Sequence, residues 1–145
     1  MTIGTTAQYR RELDRLPDAG TVHVGHVSLE PLLGLWRNAN PDTWGISAVE
    51  LTERAGVVWA HAWANDPRSA TRRDWGVAPL DGLYTTGPTA TLVCAYRVSF
   101  DLGHARTQIQ GNMLHNVMVC GAFTQFTDGS GRADYFSREF LHRRG

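Results

Sequence analysis

With 145 residues, fourteen acidic and fourteen basic side chains, the chain carries no net formal charge. That length suits one domain with a sizeable core, and the charge balance leaves no footprint for nucleic acid or an acidic membrane surface. All fourteen basic residues are arginine, which excludes a lysine Schiff base or a lysine general base.

In chain order, residues 1–7 lack the charged and apolar regions of a secretory leader. No apolar run approaches the roughly 20 residues that span a membrane, so the expected location is cytoplasmic. Thr5 or Thr6 caps a short helix that Pro17 ends, with Tyr9, Leu13 and Leu16 on one stripe. Residues 1–20 are therefore expected to hold an N-terminal helix and residues 21–145 a single β-rich unit. Period-two patterns follow over 44–53 and 57–64, joined around Glu53-Arg54-Ala55-Gly56. Residues 65–76 are polar and punctuated and read as a loop, with a short strand near 77–85. Strong strands are expected over 90–101, 104–110, 113–126 and 133–142, with turns at Gly111-Asn112 and Asp128–Gly131. Successive short turns imply an antiparallel meander, and a long meander escapes its edge problem by closing into a barrel. Cys94 and Cys120 lie in apolar strand-like runs and read as buried free thiols rather than a disulfide.

Gly34-Leu35-Trp36, placed before this series of strands, resembles the opening of a lipocalin-type (calycin) barrel. The resemblance implies a floor on which the glycine permits a bend and the indole plugs the closed end, leaving a ligand cavity above. In that family a basic residue near the end of the last strand covers the floor tryptophan, and Arg138 is the position so implied. The family's Thr-Asp-Tyr loop motif is missing, and the long 65–76 loop is unusual for it.

The two turns group the side chains by face, since directly opposed residues share a face. One face carries Arg106, Gln108, His115, Val117, Val119, Phe123, Phe136, Arg138 and Phe140; the other carries Leu114, Met118, Cys120, Tyr135, Ser137 and Glu139. Exposing three phenylalanines is costly, so the first face is expected to line the interior. Trp59, His61 and Trp63 alternate on one face of their strand and are likewise expected to be buried.

On this reading the polar groups inside the barrel supply its chemistry. His115, paired with Gln108, and His61 are candidate proton-transfer groups, and Tyr96 is a candidate phenol donor. Trp59, Trp63, Arg106, Gln108, Phe123 and Phe136 are the candidate ligand-binding residues. His23 and His26 lack the further ligands a metal needs, so no metal site is expected. No nucleophile elbow, P-loop or dinucleotide fingerprint appears.

The resemblance then implies an enzyme without a cofactor. The expected activity is a cyclase or isomerase that folds a polyketide- or terpenoid-like intermediate, as in natural-product biosynthesis, by shape and entropy restriction. The alternative is a non-catalytic carrier of a small hydrophobic ligand, and a third reading is a haem-binding barrel with an axial histidine. The expected partner is a hydrophobic small molecule, with no nucleic acid and no membrane, and a homodimer is among the expected assemblies.

Overall fold

The computed structural model describes residues 27–66, 68 and 71–144. The expected N-terminal helix and the His23/His26 pair fall outside them. The described chain is all-β: β1 (Gly34–Asn38), β2 (Ile46–Arg54), β3 (Val57–Asn65), β4 (Arg72–Pro79), β5 (Gly82–Thr85), β6 (Val93–Asp101), β7 (Ala105–Leu114), β8 (Val117–Phe126) and β9 (Tyr135–His142). They form one curled antiparallel sheet in the order β4-β3-β2-β1-β9-β8-β7-β6-β5. This meander half-barrel is compatible with a lipocalin-like fold. No helix among the described residues is long and apolar enough to cross a membrane.

The two edges of the sheet are bridged by the chain itself. Leu80 N–H donates to Val58 O (3.0 Å) on β3, and the next residue, Asp81, donates to Arg97 O (2.7 Å) on β6. The stretch from β4 to β5 thus switches partners, as strands do at sheet corners. Residues 72–76 belong to β4 and not to a loop, which corrects the sequence expectation. Their polarity reflects an edge strand facing water.

Gly34-Leu35-Trp36 opens β1, and the physical reason for its residues is local. Gly34 has φ +126°, a conformation other residues rarely adopt, and a Cβ there would sit 3.0 Å from Arg143 Cδ. The Trp36 indole is fully buried, and its Nε1–H donates to Leu32 O at 2.8 Å. The guanidinium over the ring belongs to Arg143, 4.7 Å from the centroid, and not to Arg138. Arg138 lies on the outer face of β9 beside Phe136. The covering residue stands just past the last strand, where its backbone N–H donates to Asn116 O of the neighbouring β-turn.

The β7–β8 turn is His115-Asn116, flanked by the pair Leu114↔Val117. His115 takes φ +57°, the positive value a two-residue hairpin loop needs at its first central position. Gly111-Asn112 lies inside β7 instead. Gly111 is there because the Tyr96 ring covers it: a Cβ would stand 2.2 Å from Tyr96 Cε1. The pairings Phe123↔Phe136, Gly121↔Arg138 and Val119↔Phe140 join β8 and β9.

The grouping of side chains by face is as expected for these strands apart from Leu114, which the turn at His115-Asn116 places beside Val117 on the outer side, but the interior is the other face. Met118, Cys120, Ala122 and Thr124 of β8 are buried, with Ala105, Thr107, Ile109 and Met113 of β7. Phe123, Phe136 and Phe140 are 44%, 49% and 54% exposed. On β3 the buried positions are Val58, Ala60, Ala62 and Ala64, so Trp59, His61 and Trp63 lie on the outer face. Space decides this. Trp36, Tyr96, Ile109, Met118 and Leu141 already fill the lower interior, and close packing leaves the inward positions of β3 and β8 to small side chains.

Candidate ligand-binding site at the open end

At the end opposite Trp36 the sheet opens onto a cavity of about 540 Å³, within the usual size range of small-molecule sites. Thr107 and Thr124 line it as inward residues of adjacent, paired strands. Their hydroxyl oxygens are 3.0 Å apart and both residues are buried. One hydroxyl donates to the other, so one O–H and several lone pairs remain for a ligand oxygen. Ala64 and Ala105, also lining residues, keep this wall thin.

Trp75 reaches the cavity through a bulge. Ala62 pairs with Gly76 and Trp63 with Asp74, so Trp75 is the extra residue on β4. Gly76 has φ +85°, and the indole packs 5.9 Å from the Phe100 ring. Trp44, 79% exposed, stands on the rim. Its loop is held by Glu139, which accepts from Thr43 Oγ1 (2.9 Å) and Asn38 Nδ2 (2.7 Å). Phe126 and Tyr135 complete the aromatic lining.

Charge gathers on the rim in pairs. Arg73 bridges Asp66 at 3.0 Å, and Arg132 bridges Asp128 at 2.7 Å while lying 4.1 Å over the Phe126 ring. Asp74 accepts from Gly76 N–H and from His61 Nε2, each at 2.7 Å. These bonds, the Gly76 amide first, hold its carboxyl below the usual value. Asp128 is held at about 2 by the Ser130 hydroxyl and amide, with Arg132 adding to the effect.

A carboxyl whose folded-state pKa is depressed stabilises the folded turn above its unfolded pKa, and the effect is lost as pH falls through the folded value. The turn at Asp128–Arg132 is therefore expected to keep this support at neutral pH and to lose it between about 3.8 and about 2. Carboxyl NMR titration checks this. The Asp128 midpoint should lie near 2 and move up in Arg132→Ala; a wild-type midpoint at 3.8 refutes it.

None of the sequence-derived candidates lines this cavity. Burial seals Tyr96, 1% exposed, with its hydroxyl against Met118 Sδ (3.2 Å) and Cys120 Sγ (3.7 Å). Burial also raises the Tyr96 phenol well above its usual value and the Cys120 thiol to about 12. Both cysteines are free; Cys120 is buried and Cys94 half-buried. His115 sits in the hairpin turn at the closed end. His61 stacks on Trp63 (3.8 Å between centroids) on the outer face. Arg54 and Arg72 lie 5.7 Å and 4.8 Å over Trp59 and Trp63. Arg106, Gln108, Phe123 and Phe136 are brought together on the outer face of β7–β9, with the two phenylalanine rings 4.9 Å apart. The residues that sequence reasoning missed are Thr107, Thr124, Phe126, Tyr135 and His104. The available signal was Ala105, Thr107 and Ile109 alternating with the polar Arg106, Gln108 and Gln110.

No protein-family model matches the chain, and comparison with curated proteins and with solved structures finds no match.

Proposed function

We propose that this protein binds a small amphipathic molecule in the cavity at the open end of its half-barrel. The observation that carries the reading is the Thr107–Thr124 hydroxyl pair beneath a mouth of Trp44, Trp75, Phe126 and Tyr135. Aromatic surface holds an apolar body, and two convergent hydroxyls fix one oxygen, the usual division of labour in a ligand site. Among the lining residues, Arg68, Arg73 and Arg132 stand against Asp66 and Asp74, a small positive excess that favours a ligand whose outer end is rich in oxygen.

Cyclisation or isomerisation of a polyketide- or terpenoid-like molecule is the second reading. Its proton-transfer group would be His104, the histidine among the residues that line this cavity.

The test is titration with anilinonaphthalene sulfonate, an aromatic probe with one anionic end. Thr124→Phe fills the cavity and is expected to weaken probe binding by about tenfold or more. Phe123→Ser, on the outer face, should leave that binding event unchanged. Equal affinity in wild type and Thr124→Phe rejects the site.

A further inference from the structure

Opposite the interior, β7, β8 and β9 present a second organised surface. The register lays it out in three rows: Asn112–Val119–Phe140, Gln110–Gly121–Arg138 and Gln108–Phe123–Phe136. Among these nine positions there is no carboxylate and one cation, Arg138. Gly121 makes room for the Phe136 ring, whose Cε2 would lie 3.0 Å from a Cβ there, and a groove of about 420 Å³ runs between Gln110 and Phe140.

We propose that this face is the interface between two copies of the chain, joined by a two-fold axis that runs along the strands midway between β8 and β9. That axis lays β8 of one copy on β9 of the other. Val119 then meets Phe140 of the second copy, and Phe123 meets its Phe136. Arg138 of each copy is set over Gly121 and the edge of the Phe136 ring of the other, beside Gln110. An acceptor waits there: Gln110 Nε2 already donates to Gln108 Oε1 at 3.2 Å, which leaves Gln110 Oε1 for the guanidinium. The other in-plane axis, across the strands, sets Arg138 against Arg138 and is disfavoured by like charge.

The area argues the same way. Three half-exposed phenylalanines put on the order of 300 Å² of aromatic surface on one face, the scale that marks an interaction site. Val117, Val119, Arg138 and the amides of β7 extend it toward the order of 800 Å² per partner that a standard interface uses. The face is self-complementary, with phenylalanine-bearing rows on either side of the Gln110–Gly121–Arg138 row, as an isologous dimer requires.

Sedimentation equilibrium of the full chain tests this. The wild type is expected at twice the monomer mass. Phe136→Asp and Phe140→Asp should each raise the dissociation constant by about a hundredfold or more, with unchanged far-ultraviolet circular dichroism because both side chains are about half exposed. Val57→Asp, 44% exposed at the start of β3 and away from this face, should stay dimeric. A wild-type monomer overturns the proposal, whether the face is covered by residues 1–26 or taken up by lipid vesicles. Dimers that persist in both phenylalanine variants overturn it too.

Discussion

Arg143→Ala is expected to lower the melting temperature by roughly 10 °C, corresponding to a loss of about 3 kcal/mol. The size follows from what one guanidinium does at the closed end. Nη1 donates to Glu30 O at 3.0 Å and to Leu33 O, while Nε and Nη2 donate to Asn116 Oδ1 at 3.2 Å and 3.1 Å. The backbone adds Arg143 N–H to Asn116 O at 3.0 Å. One side chain thus ties the lead-in to β1, the β7–β8 turn and the end of β9 to the floor tryptophan. Hydrogen bonds to a charged group and the cation–π contact each contribute about 0.5–3 kcal/mol, and they share the same atoms, so they do not simply add. Arg143→Lys keeps the charge but cannot reproduce the planar fork, and should recover less than half of the loss. Thermal unfolding followed at 222 nm decides the matter. If Arg143→Ala melts within about 2 °C of the wild type, the clasp is not what holds the floor.

Gly111→Val is expected to be comparably damaging, at about 2–4 kcal/mol, because the added carbons must enter the space of the Tyr96 ring. A Cβ at residue 111 would lie 2.2 Å from Cε1 and 2.6 Å from Cζ of that ring. The ring has nowhere to go, since Met118 and Cys120 close its far side and all three are buried. Tyr96→Ala opens a cavity and should cost about 3–5 kcal/mol by itself. Tyr96→Phe removes only the hydroxyl and its sulfur partners, and should cost less than about 1.5 kcal/mol. The decisive measurement is the double variant Gly111→Val with Tyr96→Ala in urea unfolding. It should be more stable than the two single losses added together, because the valine occupies part of the space the ring vacates. Strict additivity would mean that residues 96 and 111 do not compete for the same volume.

Much of the architecture was legible in the chain. Alternation gave the strands over 44–64 and 90–142, and Ala55-Gly56, with φ values of 50° and 78°, closes the β2–β3 hairpin near the turn the sequence marked. The grouping of Phe123, Phe136 and Phe140 on one face with Arg138 was readable as well, because strand periodicity fixes which residues share a side. Gly34 and Trp36 announced a floor, and the structure has one.

Which side faces inward was another matter. A strand pattern is symmetric between its two faces, and the hydrophobic rule that broke the tie pointed to the larger side chains. Only the assembled sheet shows that its lower half is filled by Trp36, Tyr96 and Met118, leaving room on β3 and β8 for alanine, cysteine and threonine. The turn at His115-Asn116 was hidden for a related reason. Gly111-Asn112 carries a stronger local turn signal, but its glycine answers to a ring fifteen residues earlier in the chain. Arg143 and the Thr107–Thr124 pair likewise depend on partners far apart in sequence. The sequence by itself determined the strand meander and, apart from Leu114 beside the misplaced turn, the membership of each face. The tertiary structure alone decided which face is inside, which arginine clasps the floor and where the cavity opens, because volume and distant contacts are properties of the packed sheet and leave no period in the chain.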